Sequence, residues 1–344
     1  MEPATINWYR TSIPRETLRE LTQKSNLKGW LQAGSFLLVY LVLTAAAFYF
    51  FWVRLWVPMV ILCCVQSLFM NMMSMSAGVH ELSHGTPFKS KPVNEFFLYL
   101  FSFLTWNNPI HFRASHIANH HQYTVYVGRD KEVIQVPVKD KLNWVNIVSW
   151  CIFDFKWFAT FIRTNVLHAL GNTDADFFSW DPLLPKDDPR RGQISAWARF
   201  MVTAYIVLLA LFIYFHLWVL IYLVIFSSFS VRILANLTGA IQHTGLGENI
   251  PDWRMVCHTV KVNPLLGYLY WNMNYHTEHH MYAAVPFCNL KKLRAVLEKD
   301  MPAAHESFSA CFRLLSDIRR KQEQDPAYFY VHPLPVTAAP ARMS

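Results

Sequence analysis

The sequence predicts an all-α integral membrane protein with four transmembrane helices in two hairpins and a cytoplasmic helical cap rich in histidine. Three observations carry this reading. The 344 residues are 53% hydrophobic and only 16% charged, whereas ordinary soluble domains carry about 25% charged residues. Charge is excluded from long runs, at residues 29–53, 55–80 and 200–231, and again at 233–247 past Arg232. Eight histidines fall in three short windows, HELSH at 80–84, HIANHH at 116–121 and HTEHH at 276–280.

A spanning helix needs about 20 apolar residues. The first two uncharged runs hold one span each, at 31–51 and 55–75, and the later pair has room for two, at 200–215 and 217–236. Residues 96–106 are apolar but too short to cross, which suggests a re-entrant or interfacial segment that returns the chain to the side it left. Lys and Arg collect at the N-terminus, in the middle segment and at the C-terminus. The first turn between spans holds only Arg54, and the turn near His216 holds no Lys or Arg. By the positive-inside rule the three basic segments face the cytoplasm. An even number of crossings then puts all three histidine windows on that side.

The remaining segments follow from local pattern. Over 144–162, apolar residues recur at helical spacing, which predicts a helix lying on the membrane surface. Residues 181–191 read as a polar, proline-broken linker. Arg232 is close enough to a helix end to snorkel, and 289–299 is amphipathic. The chain reads as a single domain over 1–344, with loose segments at 1–28 and 333–344. No secretory signal is expected in the first 28 residues. The six cysteines form no C-x-x-C pair, and suit packing in a reducing compartment. The net charge of +8 does not imply nucleic acid, because no basic run is interleaved with aromatics as a binding face needs.

The histidine windows carry the chemistry. On a helix, residues three and four apart share a face. His80 and His84, His116 and His120, and His276 and His280 are each four apart, and His279 is three from His276. His121 and His280 complete His-His pairs. Imidazole is the commonest biological metal ligand, and eight of them exceed the roughly four to six ligands that one transition metal takes. A two-metal site follows. Glu81, Asp130 and Glu278 are candidates to hold the far ring nitrogens of ligand histidines; each reads equally as an ordinary solvated charge. His111, His168, His216, His258, His305 and His332 are read as satisfied polar or surface residues, with His111 the most doubtful because it precedes His116 by five. HELSH also matches the H-E-x-x-H zinc protease helix with Glu81 as base, but that reading leaves the other six clustered histidines unexplained. A metal carrier needs a path across the membrane, whereas these histidines lie on one side.

The three windows resemble the histidine boxes of the membrane fatty acid desaturase/hydroxylase superfamily, and the resemblance runs over about 31–297. It includes Arg113, three residues before His116, and Asn274, two before His276, which joins the candidate supporting residues; Pro286 follows shortly after. The resemblance implies that His243, in the Gln242-His243-Thr244-Gly245 stretch, completes the ligand set. Gly239 stands where some members carry a metal-supporting asparagine, so that contact is not implied here. The family further implies two iron ions (Fe2+/Fe3+), dioxygen, a lipid or acyl substrate in the lipid bilayer, and an external electron donor such as a ferredoxin, a rubredoxin or cytochrome b5. The chain has no dinucleotide fingerprint and no fused cytochrome b5 haem motif, since His332-Pro333 continues as Leu334-Pro335. Desaturation of a fatty acyl chain is the expected reaction, and hydroxylation of a lipid or isoprenoid chain is the alternative.

Overall fold

A computed structural model describes residues 6–133, 135–175 and 182–343. Among these the chain is helical, with isolated β-bridges and no strand. It divides into two compact units. One comprises residues 26–114 and 144–236, and the other residues 1–25, 115–143 and 237–344.

The first unit holds the apolar helices. Among the described residues three are long and apolar enough to cross a membrane, Asn26–Trp52, Trp56–His84 and Arg190–Tyr214. The first two pack together, with Phe36 on Phe69 at 4.4 Å between ring centroids. They are joined by a turn at Arg54, whose φ is +60°. Large apolar side chains such as Leu38, Val57 and Ile206 remain exposed along them. An apolar surface of this extent calls for an apolar surrounding.

The run expected to give a fourth span, 217–236, is not one continuous helix. The Trp218–Phe229 segment is shorter, and it loosens from an α turn into a π turn at Ile221–Phe226 and a 3-10 turn at Ser227–Phe229. The chain then breaks at Val231, whose φ is +46°, before the Ile233–His243 helix. The break is held by partners remote in sequence. Ser230 bridges to Phe153, and the Phe229 carbonyl accepts from the Asp154 N–H at 2.8 Å.

The same pairing interrupts the helix expected over 144–162. It forms as two helices, Trp144–Cys151 and Phe155–Ala169, and Asp154 caps the second by accepting from the Trp157 N–H. Arg232 does not snorkel. It is buried, donates to Asn71 at 2.8 Å and to the Ser228 carbonyl at 2.9 Å, and lies 4.4 Å from the centre of the Trp157 ring. Polar partners inside the unit compete with the interface for this guanidinium, and they win. The apolar segment expected at 96–106 lies mainly in a 14-residue helix, Lys91–Leu104.

In the second unit the Phe308–Gln324 helix packs on a core of Val138, Ile241, Val260, Cys311, Leu315 and Ile318. Gly245 sits against it with φ +80°, and a Cβ there would meet Ile318 at 2.8 Å; only glycine fits. The amphipathic stretch expected at 289–299 contains the Leu290–Leu297 helix, which buries Leu290, Leu293 and Leu297. Both terminal segments expected to be loose are tied down here. The Trp8 ring stacks on Trp253 at 3.6 Å, and the Ala339 and Pro340 carbonyls accept from Arg254. Asp181, the start of the expected linker, lies outside the described residues, as do residues 1–5 and Ser344.

Candidate metal centre

Each histidine box sits on a short helix. In the first unit, Gly78–His84 carries His80 and His84 on one face, with ring centroids 5.3 Å apart. Gly85 stops this helix in the left-handed conformation, as a helix C-terminus favours. Arg113 donates to the Ser83 carbonyl at 3.1 Å while its guanidinium forks onto Glu95 at 2.8 and 2.6 Å. The residue that the resemblance singled out therefore pins the last turn of box one. Glu81 is buried and accepts from the Thr86 hydroxyl at 3.3 Å.

Box two lies on a π-helical run, Arg113–His120, continued by His121–Tyr123. A π turn closes i to i+5 rather than i to i+4. His116 consequently meets both members of the His-His pair: its ring lies 5.2 Å from His120 and 4.8 Å from His121. The His116 and His121 Nε2 atoms are 3.2 Å apart. Box three is the buried His276–Met281 helix, where His276 and His280 bring their Nε2 atoms to 3.0 Å. His243 ends the Ile233–His243 helix and sets its Nε2 2.9 Å from that of His276.

In the second unit the ring nitrogens gather in two groups. Those of His116, His121 and His279 lie within 4.8 Å of one another, and so do those of His120, His243 and His280. The His121 and His280 rings link the groups at 4.3 Å.

At His116, His120 and His243 the outer ring nitrogen fixes which tautomer the ring presents. His120 Nδ1 bonds Asp130 at 2.8 Å, His116 Nδ1 bonds Glu132 at 3.0 Å, and His243 Nδ1 bonds the Val256 carbonyl at 2.8 Å. A neutral imidazole that donates from Nδ1 presents a bare lone pair at Nε2. Lone pairs about 3 Å apart in a dry pocket repel unless a cation or a proton lies between them, and ligand histidines are held in this way. The residues therefore fit a metal centre.

Protonation is disfavoured at two of these rings. Burial, then the neighbouring His120, pulls His243 down to about 3. Burial and the surrounding imidazoles hold His280 well below the ordinary histidine value. His120 is the exception: burial lowers it, but the Asp130 and Glu132 carboxylates raise it on balance.

The candidate supporting residues divide. Asp130 meets His120, and its other bonds come from the Val125, Glu132 and Val133 N–H groups. Glu278 instead takes the Thr259 hydroxyl at 2.6 Å and Arg294 at 2.9 Å, anchoring box three from behind. Asn274 donates to the Val260 carbonyl at 2.7 Å. Glu132 escaped the sequence reading, although it lies two residues beyond Asp130. His111 is buried in the first unit with its ring 5.0 Å from that of His168.

The Asp130 contact yields a direct expectation. Asp130→Asn, which keeps the shape but loses the charge, should weaken metal retention by ~10–100-fold, the usual cost of losing a hydrogen-bonded support to a ligand histidine. Competition against a chelator measures this, and unchanged retention would show that Asp130 does not orient His120.

A family model for fatty acid desaturases matches residues 54–311, well over half of the chain. No curated protein matches it. The matched stretch contains all three boxes and His243; the chain belongs to the fatty acid desaturase family.

Proposed function

We propose that the chain is a membrane-bound, oxygen-dependent di-iron oxidoreductase that introduces a double bond into a fatty acyl chain. The observation that carries this reading is the apposition of imidazole Nε2 atoms at 2.9–3.2 Å, in His243 with His276, His276 with His280, and His116 with His121. His80, His84, His116, His120, His121, His243, His276, His279 and His280 are assigned as the ligand set for two iron ions. His80 and His84 enter through the box pattern of the sequence. Such a pair of irons, when bound, supplies dioxygen activation strong enough to break an unactivated C–H bond. Imidazole alone suits several metals, so iron is assigned from the family.

The chain's own part is to hold and to exclude. Asp130, Glu132 and the Val256 carbonyl fix the ring tautomers, and burial of the rings keeps bulk water away. An apolar substrate suits a chain with membrane-length apolar helices, since each CH₂ buried favours binding by ~0.8 kcal/mol. The electrons come from a separate ferredoxin, rubredoxin or cytochrome b5. The topology assigned is four crossings, with both termini and all boxes on the cytoplasmic side. The left-handed turn residues Arg54 and His216 lie near the opposite face.

Product analysis decides the reaction. Expression in a host with saturated lipids should yield a new alkene under air and none under nitrogen, with no heavy oxygen incorporated from labelled dioxygen. A product carrying one labelled oxygen would make the protein a hydroxylase. Turnover without oxygen would overturn both readings.

A further inference from the structure

Three histidines that the sequence left as isolated polar residues converge in the second unit. His258, His305 and His332 each bring a ring nitrogen to within 4.8 Å of the others. His258 Nδ1 lies 3.0 Å from His305 Nε2, and His258 Nε2 lies 3.1 Å from the Thr244 carbonyl. A carbonyl only accepts, so His258 donates from Nε2 and turns the bare lone pair of Nδ1 toward His305. The His332 ring stands 5.0 Å from that of His258 and 5.7 Å from that of His305. His332 is 4% exposed, and its Nε2 is buried without a hydrogen-bond partner. A buried polar atom left in that state costs free energy.

The backbone holds these rings in register. His305 pairs with the segment just past His258, through the His305 N–H to the Thr259 carbonyl at 2.9 Å and the Lys261 N–H to the His305 carbonyl at 2.8 Å. Two residues before His332, the Tyr330 N–H reaches the Gly245 carbonyl at 2.8 Å, next to the Thr244 carbonyl that orients His258. Burial keeps all three below the ordinary histidine value, and the neighbouring rings add to it at His258 and His332, so neutral imidazoles face one another at physiological pH. His305 is half-buried, which leaves one open side. His332 lies beyond the stretch that matches the desaturase family, residues 54–311.

We propose that His258, His305 and His332 form a metal site distinct from the box histidines, taking one divalent cation of the zinc class on three imidazoles with its fourth position open toward the exposed edge of His305. Three histidines plus a water is an established zinc environment, and the Thr244 carbonyl on the far nitrogen of His258 is the support that ligand histidines usually have. A cation here clasps the C-terminal segment carrying His332 to the segments carrying His258 and His305.

The test uses the purified full-length protein, equilibrated with zinc chloride, freed of excess and analysed for zinc per chain. Wild type should retain about one ion more than His305→Ala and than His332→Gln, as expected for a single three-imidazole site. His279→Ala, altered in a box, should keep that extra ion. The partly exposed position of His305 makes its variant the safer one to fold. Zinc should also raise the unfolding midpoint of wild type but not of His305→Ala. Equal zinc in wild type and His305→Ala would overturn the site and leave a hydrogen-bonded histidine cluster. Loss of the extra ion in His279→Ala would overturn its separateness, whatever the reaction of the box centre proves to be.

Discussion

His243→Ala is expected to abolish turnover and to release iron while the protein still inserts and folds. His243 stands alone at a helix end, outside the boxes. Its Nδ1 is spent on the Val256 carbonyl, and its Nε2 lies 2.9 Å from that of His276. Removing a support of a ligand costs ~10–100-fold in affinity or activity; removing a ligand should cost more than that. Packing should suffer less, because the lost group is a ring tip pointing into the cluster rather than a core side chain. His216→Ala is the control, since His216 is an exposed turn residue and should keep full iron and rate. Elemental analysis together with acyl product yield reads both quantities. Normal iron content and rate in His243→Ala would remove it from the ligand set and leave the boxes alone responsible.

The boxes were legible in the sequence because helical spacing alone sets His80 beside His84 and His276 beside His280. The closure of His116 on His121 was not. It depends on a π turn over Arg113–His120, and the local sequence carries no pattern that separates π from α. Asp130 could be suspected as a carboxylate near a box, but Glu132 needed the loop that folds back onto His116. The convergence of His258, His305 and His332 depends on backbone pairing between segments remote in sequence, so periodicity could not reveal it.

Among the apolar runs, absence of charge located three membrane-length helices. The last run gave no sign of its break at Val231, because the partners that stabilise the break, Phe153 and Asp154, lie on a different segment. Arg232 misled for the same reason. Hydropathy assigns a lone arginine to the nearest interface, and only the folded chain supplies Asn71 and the Ser228 carbonyl to hold it inside.

Arg254→Ala should destabilise the protein by ~3–5 kcal/mol, the usual cost of stranding a buried ionic partner. The Arg254 side chain is fully buried. It donates to Asp252 at 3.0 and 2.7 Å, to Asp300 at 2.9 Å, and to the Ala339 and Pro340 carbonyls at 3.1 and 3.2 Å. The Tyr9 ring covers it with its centroid 3.8 Å from the guanidinium carbon. One side chain thus fastens both terminal segments to the same point, and its loss leaves the Asp252 and Asp300 carboxylates without a counter-charge. Arg254→Lys should recover little, because a single ammonium cannot reproduce the planar fork. The effect should also reach the metal centre. Asp252 caps the Trp253–Val256 helix, whose first residue packs its ring 5.1 Å from that of His280 and whose last carbonyl holds His243. Unfolding midpoint and iron content measured on the same samples should therefore fall together. A destabilised Arg254→Ala that keeps its iron as tightly as wild type would show that this helix does not position His243, and a variant as stable as wild type would deny the clasp itself.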